Sequence, residues 1–123
     1  MKVAYNACFG GFGLSEAGMR RYAEIKGLTL YPERDKLLSS LVIYWTVPPE
    51  ERPERYSCIY DRDLDRADPA LIQVIEELGD NANGFCADLA IRDVPSGARY
   101  RIDEYDGNER VVLVDEYEWK VAR

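Results

Sequence analysis

The chain has 123 residues, 46% hydrophobic and 32% charged, and its 23 acidic against 16 basic residues leave a net charge of −7. That length is expected to fold as one domain spanning 1–123 with a sizeable core, and the charge argues against an open nucleic-acid-binding face, which needs clustered cations. With no histidine, Ser-His-Asp triads, histidine proton shuttles and zinc sites of the usual composition are excluded.

Lys2 to Ala7 reads as a first strand with Val3 and Tyr5 on one face. It runs into Asn6-Ala7-Cys8-Phe9-Gly10-Gly11-Phe12-Gly13-Leu14-Ser15, a glycine-rich turn that opens into a helix. Glycines let a backbone approach a ligand, and amides at a helix N-terminus attract anions. Ser15 is the predicted N-cap, Leu14 and Met19 form a hydrophobic staple, and Gly27 ends a helix over Glu16 to Lys26. Met19, Tyr22 and Ala23 form its buried face, and Arg20, Arg21 and Glu24 lie nearer solvent or a ligand.

Leu28 to Tyr31 is expected as a short strand, Pro32 to Lys36 as a polar turn, and Leu41 to Val47 as a strand rich in β-branched and aromatic residues. Pro48, Pro49 and Pro53 interrupt the chain up to Tyr56 and predict a mobile loop, with Ser57 to Tyr60 returning as a short strand. Asp68 followed by Pro69 starts a helix that runs to Leu78, with Leu71, Val74, Ile75 and Leu78 as its apolar stripe and Gly79 at its end. Asn81 to Gly84 reads as a loop or a single helical turn.

Cys86 to Val94 has strand character. Tyr100 to Val114 reads as a hairpin about Asp106-Gly107, which sets Ile102 opposite Val111, Tyr100 opposite Leu113 and Asp103 opposite Arg110. Apolar pairs then share one face and an ion pair the other. Tyr117 to Arg123 is a polar tail. The sum is an α+β fold, two helices packed on a mainly antiparallel sheet of about five to six strands, with open edges that suit a homo-oligomer.

The turn from Gly10 to Gly13 lacks the lysine of a phosphate-binding loop and the dinucleotide fingerprint, so it reads either as a tight strand-to-helix connection or as a ligand contact. Phe12 offers a stacking face. Asp61, Asp63, Asp65 and Asp68 alternate as in a calcium loop, but Arg66 stands where that loop needs glycine and Ile72 where it needs a bidentate glutamate. A solvated turn is the favoured reading, and no metal is expected. Cys8, Cys58 and Cys86 are odd in number and suggest a reduced compartment, each read as a small buried hydrophobe. Asn81, Asn83, Gly84 and Phe85 form a polar turn that either ends a helix or contacts a base. The absence of a signal segment or a long apolar run leads to no expectation of export or membrane spanning.

The stretches KVAYNACFGGFGLSEAGMRRYAEIKG, DRADPALIQVIEELGDNANGFCADLAI and RIDEYDG together resemble a family of small proteins encoded by bacteriophages and prophages. The resemblance implies action in the bacterial host cytoplasm and names no reaction. The ending VDEYEWKVAR departs from the His-Arg-containing tail of many members.

The expected function is occupancy without catalysis or cofactor: sequestration of a phosphate-bearing, nucleotide-derived signalling ligand that serves host defence. Gly10, Gly11, Gly13 and Ser15 would offer backbone or hydroxyl contacts, Arg20 or Arg21 charge, and Phe12, Asn81, Asn83 and Phe85 base contacts. The alternatives are an acidic inhibitor that covers a host protein through tyrosines and the Pro48–Pro53 loop, and a small enzyme of unrecognised chemistry.

Overall fold

Strand β1, Lys2–Asn6, is buried on both faces, and the remaining layers are arranged around it. Residues 1–38, 41–51, 58–116 and 120–123 are described by a computed structural model. Ala4 points toward a cluster that includes Leu14, Met19, Tyr22, Leu71, Val74 and Ile75, whereas Val3 points toward Val94 and Val111. The side-chain alternation of a strand thus puts two helices on one side and a hairpin on the other. Tyr5 joins Val3 on the hairpin side, as the pattern predicted.

The two helices form where their caps place them. In α1, Glu16–Lys26, the Ser15 Oγ accepts from Gly18 N at 3.0 Å, and Gly27 closes the end in the left-handed conformation. In α2, Pro69–Leu78, the Asp68 carboxylate accepts from Ala70 N at 2.9 Å. Gly18, Met19, Tyr22 and Ala23 are the buried residues of α1, and Ala70, Leu71, Ile72, Val74 and Ile75 those of α2. A 3₁₀ turn over Gly79–Ala82 follows α2, starting two residues before the loop or single turn expected over Asn81 to Gly84.

The fold is α+β, but its strands divide into three small antiparallel sheets instead of one of five to six strands. β1 pairs with β5, Leu89–Asp93; β2, Tyr31–Arg34, pairs with β3, Val42–Trp45, which pairs with β4, Cys58–Ile59; and β6, Tyr100–Tyr105, pairs with β7, Asn108–Leu113. The division has a local cause. On the edge of β1 away from β5, the amide of Ala4 donates to the Arg66 carbonyl and that of Asn6 to the Glu109 carboxylate, so no ladder continues there.

The β6–β7 register has Ile102 opposite Val111, Tyr100 opposite Leu113 and Asp103 opposite Arg110, as the two-residue turn dictates. The Asp103 carboxylate meets Arg101 Nε at 2.7 Å on its own strand. β2 lies three residues beyond the expected start, with Pro32 inside it and paired to Tyr44. An edge strand tolerates a residue without an amide donor, which is why proline fails to break it. β5 starts at Leu89 and not at Cys86, because Cys86 has a φ of 62° that a strand does not accommodate. Pro49–Glu51 forms a 3₁₀ turn; the rest of the expected loop, 52–56, the expected strand start at Ser57, and Tyr117 to Trp119 of the tail lie outside the described residues.

Polar contacts join the helices at the exposed Arg21–Glu77 pair and, more deeply, at Asp68, the cap of α2. Tyr22 Oη donates to Asp68 at 2.7 Å, and Lys26 Nζ reaches the same carboxylate at 3.1 Å. Burial and then the Asp68 bond push the Tyr22 phenol up to about 12. Burial pushes Asp68 up, but the bonds from Tyr22, Ala70 and Lys26 outweigh it and hold its carboxyl below the usual range. A depressed carboxyl contributes stability above its unfolded value, lost as pH falls through the folded one; a raised phenol contributes below its unfolded value, lost as pH rises through the folded one. Urea unfolding across pH should therefore show a plateau that declines in acid and again between roughly pH 10 and 12. Tyr22→Phe should remove the phenol's part of the alkaline decline, and an unchanged decline would refute its assignment to Tyr22.

Candidate functional site

The glycine turn is held from beneath by Asn6, which is fully buried. Its Nδ2 donates to the carbonyls of Cys8 and Gly107, both at 2.8 Å, and its Oδ1 accepts from Asp88 N at 2.8 Å. Its backbone amide donates to Glu109 at 2.9 Å, and that carboxylate also pairs with Arg66 at 2.5 Å. One side chain therefore ties β1 to the turn, to the approach to β5 and to the hairpin.

Two glycines allow this approach. A Cβ on Gly10 would stand 1.6 Å from the Cys86 carbonyl oxygen, and one on Gly107 would meet Gly11 N at 2.6 Å. Phe12 folds back over the assembly, where the Arg66 guanidinium stacks on its ring at 3.6 Å. Half-buried, it packs against the helical core and still contributes to the wall of the adjoining cleft.

That cleft, of about 580 Å³, opens between the glycine turn, the 83–85 loop and the β3–β4 strands. Phe12, Gly13, Ser15, Asn83 and Phe85, five of the sequence-selected residues, line it together with Tyr44, Tyr60, Asp61 and Arg62. Phe85 is 89% exposed and Tyr60 51%, so two aromatic faces meet solvent at its rim. The Arg62 guanidinium lies 5.8 Å from the Tyr60 ring centre. Asn83 spends its carbonyl oxygen on Leu89 N at 2.9 Å, and its amide nitrogen makes no hydrogen bond among the described residues.

The start of α1 is already occupied by the chain itself. Asp61 accepts from Leu14 N at 2.8 Å, Ser15 N donates to the Ala82 carbonyl at 2.9 Å, and Ser15 Oγ caps Gly18 while donating to the Asn81 carbonyl at 2.6 Å. A carboxylate of the protein thus sits where the sequence suggested an external anion. Burial, then the charges of Glu16 and Asp61, raise the Tyr44 phenol, with Arg34 and Arg20 opposing. Tyr44 accordingly stays a neutral hydroxyl at ordinary pH.

The other sequence-selected residues lie elsewhere. Gly10 and Gly11 face the hairpin turn and Cys86. Arg21 is committed to Glu24 and Glu77, which holds the Glu77 carboxyl down to about 2. Arg20 lines a neighbouring cavity of about 320 Å³ that shares Glu16 and Tyr44 with the cleft. Asn81 contributes its carbonyl to Ser15 and is exposed. A further depression of about 560 Å³ beside α2 is lined by the exposed Lys2–Glu76 ion pair and gathers none of the selected residues.

Tyr44, Tyr60, Asp61 and Arg62 were not singled out as site residues by sequence. In the sequence Asp61 stands out only among the alternating aspartates, and no local pattern marks Tyr44, Tyr60 or Arg62 as lining a cleft. Asp65 accepts from Ala67 N and Asp68 caps α2, so these two carboxylates serve local turns. Of the cysteines, Cys8 and Cys58 are half-buried and Cys86 is exposed, which departs from the expectation of three buried thiols.

Compared with protein-family models, curated proteins and solved structures, the chain finds no significant match.

The two adjacent glycines of the turn should respond differently to alanine. Gly11, with a φ of 90° and open space around its Cβ direction, carries backbone strain alone, so Gly11→Ala should cost roughly 1–2 kcal/mol. Gly10→Ala drives a methyl into backbone and should cost more than that or prevent folding. Equal urea midpoints for the two variants would show that the turn does not rest against Cys86.

Proposed function

We propose that this chain is a non-catalytic binding protein whose cleft holds a phosphate-bearing, nucleotide-derived ligand. The supporting observation is the convergence of Phe12, Gly13, Ser15, Asn83 and Phe85 on one cleft rimmed by Tyr60 and Arg62. Exposed aromatic faces beside an unspent amide suit a nucleobase, with stacking worth about 1–3 kcal/mol per base. The phosphate falls to Arg62, with Arg20 in the adjoining cavity, because Asp61 takes the Leu14 amide. Binding alone suffices for the biological effect: a phage-encoded chain of the kind its sequence resembles would deplete a host defence signal in the bacterial cytoplasm by occupancy. Assembly of copies through a sheet edge belongs to the same proposal.

Thermal unfolding against cyclic nucleotides, ADP-ribose derivatives and related phosphorylated metabolites tests it, since a ligand of the folded state raises Tm by mass action. One class should raise Tm with increasing concentration and be recovered intact after denaturation. Phe85→Ala and Arg62→Ala should each weaken binding by about tenfold or more, given the usual stacking energies, while leaving the unliganded Tm in place. A folded protein with no shift across the panel would sink the proposal.

A second reading, an acidic inhibitor of a host protein, has one observation in its favour. Leu37, Leu38 and Leu41 between β2 and β3 are 93%, 62% and 47% exposed. Apolar side chains clustered on a surface mark association sites. Leu37→Asp should abolish a complex with a host protein that ligand-cleft variants leave intact, and an unaffected complex would contradict this use of the patch.

A further inference from the structure

Cys8 and Cys86, 78 residues apart in sequence, are brought together at the base of the glycine turn. Cys8 Sγ donates to the Cys86 carbonyl at 3.0 Å and also lies 3.5 Å from Asn6 Oδ1. The backbones touch as well: a Cβ on Gly10 would come within 2.5 Å of the Cys86 Cβ. Cys86 is exposed and holds a φ of 62°, a conformation that non-glycine residues rarely adopt. Ala7 N bonds the Asp88 carbonyl at 2.7 Å, extending the β1–β5 pairing toward both cysteines. A disulfide needs Cα atoms about 4.4–6.8 Å apart, and Cys8 Sγ already touches the backbone of Cys86, the residue it would have to bridge.

We infer that Cys8 and Cys86 form a thiol pair that a low-molecular-weight disulfide converts into an intramolecular disulfide. The exposed Cys86 thiolate attacks one sulfur of glutathione disulfide; a Cys86–glutathione bond forms, the glutathione S–S bond breaks, and the departing glutathione thiolate takes up the proton that Cys86 released. The Cys8 thiolate then attacks the Cys86 sulfur, forming the Cys8–Cys86 bond and expelling a second glutathione, which takes up the Cys8 proton. The protein loses two protons and two electrons, and one glutathione disulfide becomes two glutathiones. The new bond fastens the start of the glycine turn to the residue after Phe85, at the edge of the cleft. The inference stands on the cysteine geometry alone and does not depend on which ligand the cleft takes.

The test incubates the full chain with excess glutathione disulfide, then counts free thiols and maps peptides. The wild type should retain one free thiol of its three, carry no glutathione and yield a Cys8–Cys86 peptide. Cys58→Ser should form the same bond, and Cys8→Ser should stop as a glutathione adduct on Cys86. Wild-type protein that stops as an adduct, a bridge that includes Cys58, or no reaction would each overturn the inference. Should a serine variant fail to fold, the wild-type peptide map decides by itself.

Discussion

The buried amide of Asn6 is the constraint on which the rest of the structure depends. An uncharged side chain with two donors and an acceptor is placed where three segments distant in sequence converge, and each polar group is satisfied. A typical intramolecular hydrogen bond contributes about 1 kcal/mol net, whereas leaving its buried partner unpaired costs about 1–3 kcal/mol. Removing Asn6 would therefore do more than subtract its own bonds, because the carbonyls of Cys8 and Gly107 and the amide of Asp88 would lose a partner. The nearby Arg66–Glu109 pair, with side chains only 15% and 10% exposed, reinforces the arrangement and places Arg66 over Phe12. Because desolvation offsets much of the attraction in such a pair, its main effect here is to fix geometry.

This arrangement sets what the cleft can recognise. The glycine turn lies tightly against Cys86 and the hairpin, so its backbone is occupied with packing, and Asp61 answers the Leu14 amide. What faces outward is aromatic surface, one asparagine amide and the Arg62 guanidinium, set in a protein of net charge −7. An acidic surface repels free phosphates at long range, so the ligand proposed above would be held by close contact: stacking first, and then a local cation whose field is screened little at short distance. The carboxylates of Asp61 and Glu16 near the cleft also favour ligands that bring hydrogen-bond donors, as a nucleobase amine does.

The elements legible in the sequence are those whose signals are local. Ser15 with Gly27, and Asp68 with Pro69, mark both helices at their caps, and the two-residue Asp106-Gly107 turn fixes every pair of the last hairpin, setting Val111 and Leu113 opposite Ile102 and Tyr100. Pro32 misled because its cost depends on whether its strand is central or at an edge, and an edge position is a property of the assembled sheet. The division into three sheets was hidden for the same reason: it follows from amides of β1 bonding Arg66 and Glu109, contacts across 62 and 103 residues. Half of the chosen site residues share the cleft because they flank the two loops that meet there. Arg21 was misplaced since no local pattern shows that Glu77 on the other helix claims it. Asp61 read as part of a solvated turn, and only the folded chain brings it to Leu14 N.

The most direct test of Asn6 as the organising contact is urea unfolding of Asn6→Asp at neutral pH. The substitution keeps the shape of the side chain but replaces its two donors with acceptors facing the carbonyls of Cys8 and Gly107. The structure predicts a loss of more than about 2 kcal/mol, with faster amide exchange in the glycine turn and in the 86–88 segment. A variant as stable as the parent, with the exchange of both segments unchanged, would contradict the central role given to this amide.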